Sequence, residues 1–424
     1  MKVLVIGSGG REHAICWKIN QNANVDQIFC IPGNGGIEEI AECPQDVPVN
    51  DFGMLAAFVR EKQIDFTIIG PEQPLVDGIV DYFENHNLPV FGPNKAAAQI
   101  EGSKIFSKQL MAKYHIPTAD YREFYEADAA LQYLNSLPEG PIVVKADGLA
   151  AGKGAIVCPD LDTARAAVDD MMNKAIFSAA GSKIIIEEFM TGEECSIFVL
   201  TDGKDYLTLS PAQDFKRALD GDNGKNTGGM GSYAPTPFLT ADLYEKAVSR
   251  IIEPTLAAFR SEGIEYTGVL YCGLMLTPQG PKVVEFNCRF GDPETQVVLP
   301  LLKSDLLEIM QAVHARKLGD IRPELHQQHA AGVVLASGGY PDAYEKGKAI
   351  SGLDAVSQDA LVFHAGTRRE NGHIVTSGGR VMVVAGLADN LKSAVEKAYQ
   401  GVSKIHFDDQ QYRQDIAERA MRIS

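Results

Sequence analysis

The 424-residue chain is expected to fold as a multidomain α/β and α+β protein that begins with a parallel sheet. Three observations carry that expectation. Short β-branched runs alternate with helical stretches through the first hundred residues. Several of those runs end directly in Gly or Pro, as strands do where a parallel sheet meets its ligands. The length, at roughly 150 residues per domain, points to two to four domains, and 45% hydrophobic against 22% charged residues is too apolar for disorder.

Taken in order, Lys2–Ile6 reads as a buried strand, Glu12–Asn20 as a helix and Gln27–Ile31 as a second strand. Phe66–Ile69 runs into Gly70-Pro71-Glu72, and Pro89–Phe91 into Gly92-Pro93-Asn94. The texture changes near Lys104. A helix is expected over Ser103–Tyr114, then a strand Ile142–Lys145, a glycine-rich stretch Asp147–Gly154, a helix Asp162–Asn173 and a strand Lys183–Glu187. A polar, glycine-dense loop follows over Asp220–Gly231, and two strands between Gly268 and Phe286 turn at Pro278-Gln279-Gly280. Beyond about Arg322 a third region carries apolar runs Gly332–Ala336 and Val381–Val384 and a final helix near Asn390–Ile405. There is no internal repeat and no low-complexity tract.

Asp plus Glu number 56 against 39 Lys plus Arg, a formal charge of −17. Such a surface repels phosphate backbones and anionic lipid, so neither nucleic acid nor a membrane is an expected partner. An anionic small substrate needs a locally cationic pocket or a metal. No apolar run approaches the roughly 18 residues that span a bilayer, and the N-terminal run Val3–Ile6 is too short for a secretory h-region. The seven cysteines (16, 30, 43, 158, 195, 272 and 288) are scattered, with no C-x-x-C pair, which fits inert thiols in a reducing cytoplasm.

Gly7-Ser8-Gly9-Gly10-Arg11-Glu12 joins a strand to a helix, where backbone N–H groups and the helix dipole attract anions. A dinucleotide fingerprint needs a third glycine where Glu12 stands, and the second strand ends in Pro-Gly-Asn without the acid that holds a ribose. Two readings stay open: a phosphate-binding turn with Arg11 as counter-charge, or a structural tight turn. Gly148-Leu-Ala-Ala-Gly152-Lys153-Gly154 is one residue short of a P-loop and lacks its hydroxyl. It is either a loop that folds over a triphosphate, with Lys145 and Lys153 neutralising it, or a surface hairpin.

Glu285 and Asn287 share one face of a strand. As hard oxygen donors they suit Mg²⁺ that is also held by phosphates, although a solvated strand edge explains them equally. The dense segment Cys288-Arg289-Phe290-Gly291-Asp292-Pro293-Glu294 follows at once. No G-x-S-x-G or H-E-x-x-H occurs, and the nine histidines are dispersed.

With these motifs in place, the whole chain resembles the phosphoribosylamine–glycine ligases (glycinamide ribonucleotide synthetases), a family of the ATP-grasp superfamily. The strings that carry the resemblance are Gly9-Gly10-Arg11-Glu12-His13, Val144–Gly154, Asn226–Gly231, Glu285-Phe-Asn287 and Arg289–Gln296. It implies a substrate domain over 1–102, an ATP-grasp domain over 103–322 with a lid at roughly 120–190, and a small α+β domain over 323–424. Residue by residue, it implies that Lys104 and Lys145 contact ATP phosphates, Gly148, Gly152, Lys153 and Gly154 form the lid loop, Glu187, Glu188, Phe189 and Met190 the adenine hinge, and Glu194 the ribose site. Glu285 and Asn287 would hold Mg²⁺ or Mn²⁺. Gly9, Gly10, Arg11, Glu12, Asn34, Pro71 and Glu72 would cradle phosphoribosylamine, while Asp214, Arg217, Gly229 and Arg289 would line the glycine and acyl-phosphate site.

The implied activity is ATP-dependent ligation of glycine to 5-phospho-D-ribosylamine through glycyl phosphate, in de novo purine synthesis, by a cytoplasmic monomer. The alternatives are another ATP-grasp carboxylate–amine ligase and an NAD-dependent dehydrogenase, which Glu12 disfavours. Two positions depart from the family pattern. Phe215 stands where the family often has His, and Tyr271–Leu276 lacks the acid that ATP-grasp enzymes often supply from that strand.

Overall fold

The computed structural model describes residues 1–150, 154–174, 176–357 and 359–423. Val3, Leu4, Val5 and Ile6 are fully buried, so this strand is covered on both faces, as the continuous β-branched run requires. The first sheet is parallel in the order β2-β1-β3-β4, from β1 (Lys2–Gly7), β2 (Gln27–Pro32), β3 (Phe66–Ile69) and β4 (Val90–Phe91). The strand order reverses around β1, which makes the carboxyl ends of β1 and β3 the place where a ligand crevice opens. Helix α1 (Gly10–Ile19) starts there, two residues after β1.

The helix Lys104–Lys113 is capped by Ser103, whose Oγ accepts from Phe106 N at 3.1 Å. Asp147 ties that helix start to the glycine-rich stretch. Its Oδ1 accepts from Ser103 Oγ at 2.9 Å and from Ile105 N at 3.0 Å. Strands β5 (Tyr121–Phe124), β6 (Ile142–Ala146), β7 (Ala155–Cys158) and β8 (Ile184–Glu188) form an antiparallel sheet in the order β5-β8-β6-β7. Val144, Ile184 and Ile186 on this sheet pack against Leu134, Ala164 and Val168 of two covering helices. The helix expected over 162–173 is α-helical from Leu161 to Val168 and continues as a π-helix through Asn173.

The chain then runs through β9 (Glu193–Thr201), β10 (Tyr206–Thr208), β11 (Gln213–Asp214), β12 (Arg217–Leu219), β13 (Asn223–Asn226) and β14 (Gly231–Ala234). The stretch 220–231, expected to be loop, contains β13, which pairs with β12 just before it. Its strands are largely solvent-exposed and rich in Asn, Gly and Lys, so they lack the half-buried alternation that reveals a strand in sequence. Strands β15 (Gly268–Thr277) and β16 (Gly280–Asn287) complete a central sheet in the order β10-β9-β15-β16.

The last sheet uses β17 (His329–Ser337), β18 (Ala360–His364), β21 (Arg380–Ala388) and β22 (Gln410–Gln411), with a separate hairpin of β19 (Thr367–Glu370) and β20 (His373–Thr376). Its order is β11-β14-β17-β21-β18, with β22 on β17, so two of its strands come from far upstream. The helix Leu391–Val402 covers it. No helix among the described residues is long and apolar enough to cross a membrane, and all seven cysteines are free thiols.

Candidate active site

A cleft of about 700 Å³ is lined by residues from the four larger sheets. At its N-terminal end Glu12 fixes the turn. Its Oε2 accepts from Gly9 N at 2.6 Å and its Oε1 from Arg11 Nε at 2.6 Å. A Cβ on Gly7 or Gly70 would fall within the Glu12 side chain, and Gly7 also has φ +132°. A carboxylate therefore fills the crevice that a dinucleotide's pyrophosphate would need.

Arg11 is buried and committed. Its Nη1 donates to Phe290 O at 2.9 Å, Nη2 lies 3.8 Å from Glu72, and its own backbone N–H donates to Asp292 Oδ2 at 3.1 Å. Glu72 also meets Arg289 Nε at 3.2 Å, and Arg289 Nη2 meets Glu101 at 2.6 Å. Burial opposes the charge on Glu72, but Arg289 and Arg11 outweigh it and hold its pKa down to about 2.

Further along, Lys104 Nζ lies 3.9 Å from Glu285 Oε2. Lys145 Nζ meets Glu187 Oε2 at 2.9 Å and donates to Val284 O at 3.1 Å. The other Glu187 oxygen lies 3.2 Å from Lys108 Nζ, so one buried carboxylate bridges two buried ammonium groups. Burial lowers the pKa of Lys108 to about 8 despite Glu187. Lys108 escaped the sequence reading, although it stands four residues after Lys104 and therefore on the same helix face. Glu188 pairs with Lys282 at 2.9 Å at the edge of the cleft, while Phe189 and Met190 join Val143, Val157 and Met275 in an apolar wall of the cleft. Gly148, with φ +142°, and Gly154 line the same space; Gly152 and Lys153 lie outside the described residues.

Glu285 and Asn287 both face the cleft from β16. Burial works against the Glu285 charge, yet Lys104, Lys216 and Lys145 pull its pKa down to about 2. An ionised carboxylate beside an amide oxygen fits a hard divalent cation. No group of three or more His, Cys, Asp or Glu is arranged for a metal among the described residues, so phosphate and water oxygens would complete the shell. Tyr271, on the strand that lacks an acid, donates from its hydroxyl to Glu294 Oε1 at 2.8 Å. Lys216 Nζ bridges Glu194 at 2.6 Å and Asp214 at 3.3 Å. Burial, reinforced by Glu294 and Glu194 and opposed by Lys216, pushes Asp214 up to about 7.

Four expected residues do not line the cleft. Arg217 donates to Gly224 O at 2.9 Å inside its own hairpin; Asp214 and Lys216 face the cleft instead, because alternation along the extended chain sends residue 217 the other way. Asn34 spends its amide on the backbone, donating to Ser8 O at 2.8 Å and His364 O at 2.9 Å and accepting from Gly36 and Ile37 N. Gly10 is small because Gln296 packs over it, and Gly229, at φ +113°, because Pro293 does. Besides Lys108, the sequence reading missed Lys216, Glu294 and Arg380. Glu294 was visible inside a quoted segment and Lys216 stands between the named Phe215 and Arg217; Arg380, far down the chain, had no local signal.

The antiparallel sheet β5-β8-β6-β7 and the central sheet both contribute to the cleft that Lys104, Lys145, Glu285 and Asn287 line, and the match of this region to an ATP-grasp domain makes the chain an ATP-grasp carbon–nitrogen ligase. The chain belongs to the phosphoribosylglycinamide synthetase family: its N domain matches residues 1–101, its ATP-grasp (A) domain 102–295 and its C domain 330–419. A phosphoribosylamine–glycine ligase of Neisseria meningitidis serogroup A is 50% identical over 423 residues, covering 99% of this chain and all of that one. The crystal structure of the Thermotoga maritima phosphoribosylamine–glycine ligase is similar at TM-score 0.85 and 32% identity, over 98% of this chain and 100% of that one. The biotin carboxylase domain of a Hydrogenobacter thermophilus 2-oxoglutarate carboxylase shares the fold at TM-score 0.72 and 15% identity, over 97% and 91% of the two chains.

Proposed function

We propose that this cleft joins glycine to 5-phospho-D-ribosylamine at the expense of ATP, giving glycinamide ribonucleotide, ADP and phosphate in purine synthesis. The observation that carries the reading is the convergence of Lys104, Lys145, Glu285 and Asn287 with Asp214 and Arg289 around one cleft. A glycine carboxylate repels an attacking amine and has no leaving group. Phosphorylation by ATP turns one of its oxygens into phosphate, which the amine then expels. Such a transfer needs alignment and charge neutralisation more than covalent help.

Lys104 and Lys145 neutralise the triphosphate in this reading, and the apolar wall from Val143 to Met275 receives the base. Glu285 and Asn287 would hold Mg²⁺ or Mn²⁺, which supplies further positive charge at the phosphates. Arg289, fixed by Glu72 and Glu101, faces the carboxylate. Asp214, with its pKa raised to about 7, is the group best suited to take the proton released by the amine near neutral pH. The glycine-rich stretch around Gly148 and Gly154 closes over the acyl phosphate and keeps water out. In this reading a single chain forms the catalytic unit, which the lining of one cleft by segments from residue 7 to residue 380 supports. Buried free thiols and phosphorylated substrates suit the cytoplasm.

The test is ADP formation with glycine, phosphoribosylamine and ATP each omitted in turn. Strict dependence on all three is the expected result. ADP release with a different amine or acid in place of either would transfer the chain to another carboxylate–amine ligase activity.

A further inference from the structure

Phosphoribosylamine carries a phosphate dianion, and in a chain of formal charge −17 that phosphate needs a cation with unspent hydrogen-bond donors. Three arginines line the cleft. Arg11 has Nε on Glu12, Nη1 on Phe290 O and Nη2 toward Glu72. Arg289 has Nε on Glu72, Nη1 on Phe290 O and Nη2 on Glu101. Arg289 thus has all three nitrogens on protein oxygens, and Arg11 has Nε and Nη1 so engaged, with Nη2 3.8 Å from the Glu72 carboxylate that neutralises it. Two amides of the turn are taken as well, Gly9 N by Glu12 and Arg11 N by Asp292.

Arg380, at the start of β21, is built differently. Its Nη1 alone makes the protein contacts, to Gly228 O at 2.7 Å, Asp292 O at 2.7 Å and Asp292 Oδ1 at 3.2 Å. Gly228 backs the guanidinium so closely that a Cβ there would lie 2.9 Å from Arg380 Cζ. The Nε and Nη2 edge makes no hydrogen bond to the described residues, and the side chain is 22% exposed at the cleft. That edge is the planar fork that grips a phosphate bidentately, and the Nη1 bonds hold it in place beforehand. Asp292 links Arg380 to the first turn of α1, its Oδ1 meeting Arg380 Nη1 and its Oδ2 the Arg11 N–H.

We propose that Arg380 binds the phosphate of phosphoribosylamine. The inference rests on the ligase reading above, and it makes the last region of the chain part of the substrate site.

The test is steady-state ADP formation with phosphoribosylamine generated in place from ribose 5-phosphate and ammonia. Wild-type protein without glycine- and phosphoribosylamine-dependent turnover overturns the ligase reading itself, whatever Arg380 does. With turnover present, Arg380→Ala should raise the KM for phosphoribosylamine roughly ten- to a hundredfold. The KM values for ATP and glycine should stay near those of the wild type. An unchanged phosphoribosylamine KM, or equal losses for all three substrates, overturns the proposal. Should Arg380→Ala fail to fold, Arg380→Lys and Arg380→Met carry the comparison at similar bulk. The lysine variant should bind phosphoribosylamine distinctly better than the methionine variant, and equal KM values for the two would overturn it.

Discussion

Lys108 Nζ sits 3.2 Å from Glu187, the same carboxylate that holds Lys145 at 2.9 Å. A lone Glu187 would cancel the charge of Lys145; with Lys108 on its other oxygen the buried trio keeps a net positive charge for the nucleotide. Lys108→Met removes that excess while filling the space. The expected outcome is a KM for ATP raised about tenfold, with the glycine KM unchanged and a lower melting temperature, since a buried ion network has lost a member. An ATP KM equal to that of the wild type would show that the trio serves folding alone.

Glu285→Gln keeps the shape of the side chain and deletes its charge. Turnover should fall by roughly a hundredfold, because a hard-cation site contributes several kcal/mol to phosphoryl transfer. The circular dichroism spectrum should not change, and added Mg²⁺ should recover part of the loss. Full activity at limiting Mg²⁺ would remove Glu285 from the mechanism.

Isotope transfer tests the order of bond making. Glycine labelled with ¹⁸O in its carboxylate should pass one labelled oxygen to inorganic phosphate, with ADP as the nucleotide product. Label in AMP, or release of pyrophosphate, would replace the acyl phosphate with an adenylate.

His13 and His364 give a pH prediction. His13 Nδ1 accepts from His364 N at 2.8 Å, joining α1 to the last sheet. Burial, with His364 nearby, lowers the pKa of His13 to about 3, and burial with Arg369 lowers that of His364 to about 4. The unfolded chain binds protons on these rings below pH 6.5 while the folded chain stays neutral, so stability falls as pH drops from 6.5 toward 3. At pH 4.5 His13 alone should cost roughly 3 kcal/mol relative to neutral pH. Urea midpoints at pH 7 and 4.5 should differ less in His13→Asn, whose amide oxygen still accepts the His364 N–H. An identical pH slope in the variant would rule out His13 as its source.

Strands and glycines were legible wherever one local rule decided them. Val3–Ile6 announced a doubly covered strand, and the Gly70-Pro71-Glu72 and Gly9–Glu12 strings announced the ends of parallel strands. The cleft residues within motifs were also legible as a set. What escaped depended on partners distant in sequence. Arg217 and Lys216 are neighbours, and only the course of the chain through β11 and β12 tells which one faces the cleft. Asn34 reads as a ligand until His364, 330 residues away, takes its amide. Arg380 offers no motif, because Asp292 and Gly228 give it its setting. Glu187 was read as part of the adenine hinge, while its side chain organises two lysines.

The placing of β11 and β14 in the last sheet also sets the order in which the nascent chain can mature. Strand β14 ends at Ala234, and its neighbour β17 begins only at His329. At ribosomal speeds of about 5–20 residues per second, β14 waits roughly 5–20 s for that neighbour to be made. Ser232 meanwhile can reach Pro293 O, which it holds at 2.8 Å in the finished fold, only after the intervening 60 residues have emerged. The first sheet closes as soon as its own strands leave the ribosome, whereas the glycine turn at 228–229 takes shape at the end of synthesis. A chain stalled before residue 329 would expose the open edge of Tyr233 and Ala234, a ready template for aggregation, so the protein's vulnerable interval falls late in its own translation.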